Sequence, residues 1–284
     1  IHGLALGPSQ DLDTVERALQ LAVDRRPLIE KLVESLLARG QAQDALNWQL
    51  TLGREAAGPE RRAADLRKAL DIALYTLGDV ARAEVVIEAS DEPFPLMEAL
   101  VSYHRDRGDF AGAIQWLWAL VKRSREPVAA SLYRHRLVDL ALGEAKSVGE
   151  AERAVLDAKL EPGLTEKLIS YRLGSEDWGD ALRWLEELAQ NSTSENNPWL
   201  RRMFDLAVGD ADDLAAAERA ISMSSSPVAL IEKLIDHLLE QEAYHDALRW
   251  MEHLARDSQV DASPWLRRMF ELALGRAQDL AAAE

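Results

Sequence analysis

The chain contains no cysteine among its 284 residues. This excludes disulfide bonds and metal sites built from thiolates, and it fits a reducing or an oxidising compartment equally. Long apolar runs are also missing, because charged residues interrupt every stretch well before the roughly 20 residues that a membrane-spanning helix needs. We therefore do not expect this segment to insert into a membrane.

The motifs of common catalytic sites are absent as well. There is no glycine-rich phosphate loop, no Gly-x-Ser-x-Gly nucleophile turn and no His-Glu-x-x-His zinc motif. Glu242 and His245 form one Glu-x-x-His pair, but a di-iron site needs a second such pair and two further glutamates in the same bundle. We therefore expect no metal, no cofactor and no enzymatic activity.

Positive charge is in deficit. The chain has 33 Lys and Arg against 49 Asp and Glu, which gives a net charge of -16 at pH 7. Binding to a nucleic-acid backbone requires clustered Lys and Arg, so this balance argues against nucleic acid as a partner. It favours solubility or a basic partner.

Internal repetition is the main positive feature of the sequence. Residues 198–218 return almost letter for letter at 264–284. Two unrelated markers recur with intervals of 66 or 68 residues. Such a period is typical of solenoids, in which each unit buries its apolar face against its neighbours. The first marker is a glutamate after Ala or Val, at Glu16, Glu84, Glu152, Glu218 and Glu284; the second is a tryptophan three residues after an alanine, at Trp48, Trp116, Trp184 and Trp250.

Each period is predicted to hold four helices. In the first period, apolar residues at helical spacing predict helices over 28–37, 43–54, 65–77 and 80–89. Gly40 and Gly78 are predicted to end the first and third of them. The periods cover about 27–94, 95–161, 162–226 and 227–284, after a partial helix pair at 1–26. Because the chain begins and ends inside a unit, we expect a single array that is a fragment of a longer one.

The turn of the second helix pair is predicted to be shorter in the first period. Gly78 lies six residues before its marker glutamate, whereas the glycines of the other periods lie nine residues before theirs. Those glycines are Gly7, Gly143, Gly209 and Gly275.

Half a period is about 34 residues, the length of a tetratricopeptide repeat (TPR). The chain resembles that family over essentially its whole length, although Glu176 and Glu242 replace the glycine of the turn. The resemblance implies an all-α fold, a right-handed α-solenoid of about eight helical hairpins paired into units of 66–68 residues. Positions that match the family pattern include Leu32, Leu36, Gly40, Ala45 and Leu52, and also Leu100, Gly108, Ala113, Leu117, Leu120 and Pro127.

Alignment of the hairpins gives alternating acidic and basic columns. In TPR proteins, this position resembles those that face the concave groove where a ligand segment binds. Two interpretations stay open: the columns pair with each other and set the repeat spacing, or they line a groove for a partner. The acidic column is Glu30, Glu98, Glu166 and Glu232, and the other column is Arg67, His135, Arg201 and Arg267.

Two groups of tryptophans are interpreted differently. The four marker tryptophans are predicted to pack in the core, since large aromatic side chains bury well. Trp199 and Trp265 each follow a proline and lie two residues before Arg201 and Arg267. Aromatic and Arg residues together are typical of interface anchors. Packing at the start of a helix is the alternative for this second group.

These features predict a protein-protein interaction scaffold that performs no chemistry. The alternative is a structural spacer or an oligomerisation rod between domains outside this segment. The Ala-, Leu- and Arg-rich repeats are also similar to the periplasmic TPR arrays of bacterial exopolysaccharide export systems, such as the Pel system. That resemblance implies a polysaccharide-modifying enzyme as partner and a periplasmic location, with the cytoplasm as the alternative.

Overall fold

The computed structural model describes residues 19, 21–192, 194, 197–256 and 262–277. Over these residues the regular structure is entirely helical, with fifteen α-helices, two short π-helical segments and no strand. The all-α prediction is confirmed. The helix pair predicted at 1–26 and the marker glutamates Glu16 and Glu284 lie mostly or wholly outside the described residues.

The chain divides into two compact units, Ile1–Leu140 and Ala141–Glu284. The π-helical segment of the first unit, Ile72–Thr76, directly follows its third helix. The helices that begin in this unit are α1 (Arg26–Ala38), α2 (Ala42–Glu55), α3 (Pro59–Asp71), α4 (Val80–Glu88), α5 (Phe94–Asp106), α6 (Phe110–Arg123) and α7 (Pro127–Leu142).

The second unit repeats this plan and ends in a π-helical segment at Ala273–Ala277. Its helices are α8 (Val148–Asp157), α9 (Pro162–Gly174), α10 (Trp178–Asn191), α11 (Pro198–Val208), α12 (Leu214–Ser222), α13 (Val228–Glu240), α14 (Tyr244–Arg256) and α15 (Ala262–Leu272).

Consecutive helices pack against each other in both units. Examples are α1 on α2 and α5 on α6 in the first unit, and α9 on α10, α11 on α12 and α13 on α14 in the second. The alanine of the tryptophan marker lies on an even-numbered helix and is completely buried in every period. A methyl group at this position lets two helices approach closely, which explains why alanine recurs. These residues are Ala45, Ala113, Ala181 and Ala247, each 0% exposed.

The turn after each of α1, α5, α9 and α13 has the same backbone geometry. In the first period, the Gln41 amide donates to the carbonyl of Leu36 at 2.9 Å, and Gly40 between them has a φ of 75°. The residue in the left-handed conformation is Gly108 in the second period, at 72°, but Glu176 and Glu242 in the third and fourth, at 57° and 59°. The glycine is therefore lost without loss of the turn.

We expect Glu176→Gly and Glu242→Gly each to raise the free energy of unfolding by about 1 kcal/mol, because a residue with a Cβ pays that penalty in the left-handed region. Urea unfolding measures the change. Gly108→Ala is the reverse control and should lower stability by a similar amount, because the alanine must adopt the left-handed φ of 72°. An added Cβ there meets no atom within 4 Å, so no steric clash contributes to the loss. A loss of stability in Glu176→Gly would contradict this reasoning.

The predicted difference in length of the second turn is wrong. The left-handed residue lies six positions before the marker glutamate in each of the three periods described at this turn, at Gly78, Lys146 and Asp212. The amide after it donates to a carbonyl six residues earlier in all three turns. Gly209 instead has a φ of -87°, so Gly143 and Gly209 mark a different position from Gly78. The donor and acceptor pairs are Asp79 and Ala73, Ser147 and Ala141, and Asp213 and Ala207, at 2.9, 2.7 and 2.8 Å.

The predicted start of α3 is also wrong. The helix begins at Pro59, six residues before the predicted start at Asp65. Proline suits the first position of a helix because its fixed φ is helical and no bonded amide is lost. Residues 59–64 are mostly exposed, so no apolar period marks this part of the helix. The other predicted helices of the first period agree with α1, α2 and α4 within a few residues.

Candidate functional site

All ten residues of the predicted site lie on odd-numbered helices. Glu30, Arg67, Glu98 and His135 are on α1, α3, α5 and α7 in turn. In the second unit, Glu166 is on α9 and Glu232 is on α13. The helix α11 carries Trp199 and Arg201, and α15 carries Trp265 and Arg267.

A series of ion pairs joins successive odd-numbered helices of the second unit. In each pair the acid is on one helix and the cation is on the next odd-numbered helix along the chain. We call this series the odd-helix ladder. Its pairs are Glu166 and Arg202 at 4.0 Å, Asp205 and Lys233 at 2.9 Å, and Asp236 and Arg268 at 2.7 Å.

The first unit has a related contact between α5 and α7. Oε1 of Glu98 accepts a hydrogen bond from the Tyr133 hydroxyl at 3.0 Å and lies 3.3 Å from Nη1 of Arg136. Burial of the ring and the bond to Glu98 raise the pKa of the Tyr133 hydroxyl above its usual value. Glu98 is therefore held by the next odd-numbered helix, as Glu166 is.

Glu30 and the buried Asp65 share one cation. Nη2 of Arg26 lies 2.8 Å from Asp65, and its Nε lies 2.8 Å from Glu30. Desolvation acts to lower the pKa of Arg26, but the bonds to these two carboxylates raise it overall. Glu30 is thus paired on its own helix.

The arginine that forms an ion pair with the preceding odd-numbered helix is the residue next to the predicted basic column. Among the described residues, Arg136 and Arg202 bind the glutamates, whereas Arg67 and Arg201 pair only along their own helices, with Asp71 at 3.4 Å and Asp205 at 3.9 Å. Within the described ranges, no ion pair joins Arg267 or Glu232 to another residue. In the part of the chain that the structure describes, Arg67, Arg201 and Arg267 of the predicted basic column therefore form no ion pair with another helix.

The Arg201 side chain has 73% of its surface exposed. Trp199 and Trp265 are partly exposed at the first turns of α11 and α15. The Trp199 amide donates to Oδ1 of Asn197 at 3.1 Å, which caps the start of α11. The part-exposed tryptophan and the arginine of each helix lie two residues apart, so they occupy different faces of its first turn.

A second series of ion pairs, which sequence reasoning missed, joins the even-numbered helices of the second unit. We call it the even-helix ladder. Two of its acids are marker glutamates, and their partners Arg183 and Arg249 also recur one period apart. The shared period was a signal that could have identified these pairs. They are Glu152 and Arg183 at 3.3 Å, Glu186 and Arg219 at 3.2 Å, and Glu218 and Arg249 at 2.6 Å.

One arginine connects three carboxylates at the start of this ladder. Arg172 lies 2.8 Å from Glu152 and 2.7 Å from both Asp177 and Asp180, and only 18% of its side chain is exposed. Desolvation acts to lower the pKa of the guanidinium, but these three partners raise it above its ordinary value. The cluster ties α9 to α8 and α10.

The marker tryptophans are not uniformly buried. Trp184 is 4% exposed, which confirms the core prediction for this residue. Trp48, Trp116 and Trp250 are partly exposed. Trp250 lines an open cleft of about 600 Å³ with Glu218, Arg249 and His253.

Neither a metal site nor a membrane span is found in the part of the chain that the structure describes. No group of three or more His, Asp and Glu side chains there is placed to hold a metal ion. None of the described helices is both long enough and apolar enough to cross a bilayer.

Comparison with known proteins finds no matching family model and no matching curated protein. One solved structure that it resembles is a circular tandem repeat protein with novel repeat topology and enhanced subunit contact surfaces. The identity is 16%, over 96% of this chain and 51% of that one, with a TM-score of 0.11. Another is a DHF58 filament, with 18% identity over 88% and 90% of the two chains and a TM-score of 0.11. This chain spans about half of the first protein's length, and scores this low carry no argument.

Proposed function

We propose that this chain is a protein-protein interaction scaffold that binds a partner along the exposed faces of its odd-numbered helices. Its repeats are TPR-like hairpins in a right-handed α-solenoid, with this face inside the concave groove. The buried alanine column, the repeated turn after α1, α5, α9 and α13, and the period of two hairpins support this architecture.

The observation that carries the proposal is the separation of two neighbouring columns on the odd-numbered helices. The odd-helix ladder occupies Arg202 and Arg268, whereas Arg201 and Arg267, one residue earlier, form no bond to another helix within the described ranges. Residues that hold the repeats together are thus distinct from residues that remain for a ligand. Arg and Trp side chains with this exposure are the types that dominate binding energy at protein interfaces.

The chemistry of the face indicates the kind of segment it binds. Arg201 and Arg267 offer bidentate donors to carboxylates, and Trp199 and Trp265 offer apolar contact at the start of the same helices. Glu166 and Glu232 stand on the neighbouring helices α9 and α13. A partner segment with acidic residues opposite the arginines and an apolar anchor opposite a tryptophan fits this arrangement.

The test uses a partner identified by affinity capture and then purified. We expect the double variant Arg201→Glu with Arg267→Glu to weaken its binding at least tenfold, since two cations become anions in the contact. Titration calorimetry gives the dissociation constants, and circular dichroism checks that helicity is unchanged.

The charge-matched control is Arg153→Glu with Arg256→Glu on even-numbered helices, which should leave affinity within twofold. Equal weakening of binding by both double variants would mean that net charge alone causes the effect. It would refute binding at a specific face. A large loss of helicity in Arg201→Glu with Arg267→Glu would mean that these arginines hold neighbouring repeats together instead.

A structural spacer or oligomerisation rod is the second candidate, and the two ladders favour it. Six ion pairs on two sets of helices brace the second unit. Several charges that form a network contribute more to stability than isolated surface pairs do. Light scattering separates the candidates: a monomer at all concentrations that binds a different protein supports the scaffold, and end-to-end association supports the rod.

We also propose, from the resemblance to exopolysaccharide export arrays, that the partner is a polysaccharide-modifying enzyme of the bacterial periplasm. The absence of cysteine and the net charge of -16 are compatible with that compartment. Cell fractionation with an antibody against this chain tests the location. Recovery in the cytoplasmic fraction would refute it and leave the scaffold proposal intact.

A further inference from the structure

An exposed tyrosine lies on the π-helical segment of the first unit. Tyr75 belongs to Ile72–Thr76 and is 60% exposed. Its ring meets the ring of Tyr103 on α5 edge to face, with 5.5 Å between the two centroids. π-helical turns are frequent at functional sites. The first unit therefore displays a large aromatic side chain on a kind of backbone that often serves a function.

The repeat itself does not require this tyrosine. Tyr75 lies nine residues before its marker glutamate, and a glycine holds that position in each of the three later periods. The hairpin thus folds there without any side chain, and Tyr75 adds a surface that the later repeats lack. The glycines are Gly143, Gly209 and Gly275.

An exposed arginine adjoins the same pair of rings. Cζ of Arg107 lies 4.5 Å from the centroid of the Tyr103 ring. Over the described ranges, no carboxylate pairs with Arg107. An arginine that an aromatic ring holds in place keeps a planar fork of N–H donors, which matches a carboxylate. The cation is therefore positioned, and its donors are available to a ligand.

The helix dipole explains this cation only in part. Arg107 follows the last residue of α5, where the dipole favours a positive charge. Arg39 holds the same repeat position after α1, but the position of Tyr103 is taken there by Ser35. The dipole accounts for an arginine at both places. It does not account for the two tyrosines beside Arg107.

We infer that Tyr75, Tyr103 and Arg107 bind a protein segment that carries a single carboxylate beside an apolar side chain. Arg107 pairs with the carboxylate, and the Tyr75 ring packs against the apolar neighbour. Tyr and Arg are among the residue types that dominate binding energy at protein interfaces. The net charge of -16 repels strongly acidic or phosphorylated segments, so an isolated acid fits this site.

This site is separate from the one in the proposed function. It lies at the ends of odd-numbered helices in the first unit and shares no residue with the column of Arg67, Arg201 and Arg267. Variants of the column therefore leave it intact, and the two proposals stand or fall separately.

Fluorine-19 NMR of the chain labelled with fluorotyrosine tests the site. The chain contains five tyrosines, and the signal lost in Tyr75→Phe identifies Tyr75. The probe is the peptide acetyl-Leu-Glu-Leu-amide, and acetyl-Leu-Gln-Leu-amide is its uncharged match. We expect the glutamate peptide to shift the Tyr75 signal until saturation. It should bind about fivefold more tightly than the glutamine peptide, the upper range for an exposed ion pair.

Two variants separate the ion pair from the apolar contact. Arg107→Gln should remove the preference for the glutamate peptide, so that both peptides bind equally. Tyr75→Ala should weaken both peptides by a similar factor of about three or more, since it removes the aromatic contact. Binding to Tyr75→Ala is followed through the Tyr103 signal, which Tyr103→Phe identifies. Circular dichroism of each variant checks that helicity is unchanged.

Arg39→Gln is the matched control, because it removes the same charge at the same repeat position. It should leave the preference for the glutamate peptide within twofold. A loss as large as that in Arg107→Gln would mean that net charge causes the preference, and it would overturn the inference. A Tyr75 signal that neither peptide moves, or equal binding of both peptides to the unchanged chain, would also overturn it. Tighter binding of acetyl-Leu-Lys-Leu-amide than of the glutamate peptide would refute an acidic partner.

Discussion

Phe204→Ala should lower the free energy of unfolding by about 3 to 4 kcal/mol, the usual loss for a large side chain removed from a packed core. Phe204 is 1% exposed and lies where α11 meets α12 and α13. The truncation leaves a cavity that rigid helices on either side close only in part. Urea unfolding followed by circular dichroism measures the loss.

Phe270→Ala is the matched control, because the two phenylalanines hold the same repeat position. Phe270 is 51% exposed, so its truncation should change stability by less than about 1 kcal/mol. Equal losses for the two variants would mean that α15 is covered in solution as α11 is.

Arg172→Met should lower stability by about 2 to 3 kcal/mol, because it leaves Asp177 without its cation and leaves Glu152 and Asp180 with Arg183 alone. We expect a smaller loss of stability than for a fully buried ion pair, because 18% of the Arg172 side chain is exposed to solvent. Arg183→Met is the control. Its side chain is 54% exposed, and we expect a loss below about 1 kcal/mol.

The helical repeat was predictable because its core positions tolerate few side chains. Ala45, Ala113, Ala181 and Ala247 are enclosed between helices, and that constraint leaves a period in the sequence. The start of α3 was not predictable in this way, since its first turns face solvent and their residue types are free to vary. Burial thus determined which helix boundaries could be found.

The turns show a different limit. Glycine at Gly40 and Gly78 indicates a left-handed residue directly. Glu176, Lys146 and Asp212 adopt the same conformation, but no property of these residue types reveals it. The left-handed position can be found only by comparing the distance to the marker glutamate between periods. The spacing of Gly143 from its marker indicated a different position in the turn.

On α7, α11 and α15, the arginine that pairs with the preceding odd-numbered helix lies one residue after the member of the predicted basic column. Arg201 and Arg202 both project from the exposed side of α11, and one position along a helix is a rotation of about 100°. Sequence alone gives no basis for deciding which of them reaches the neighbouring helix. The distances to Glu166 and Asp205 decide it.

Both ladders run in one direction, from an acid to a cation further along the chain. Each of these junctions in the second unit therefore places an acid of one helix against a cation of a helix further along the chain. A gene duplication or deletion of one whole period would join edges that already match, and the new junction would need no compensating substitution. Proteins built this way can gain or lose length during evolution in steps of 66 or 68 residues while each boundary stays satisfied.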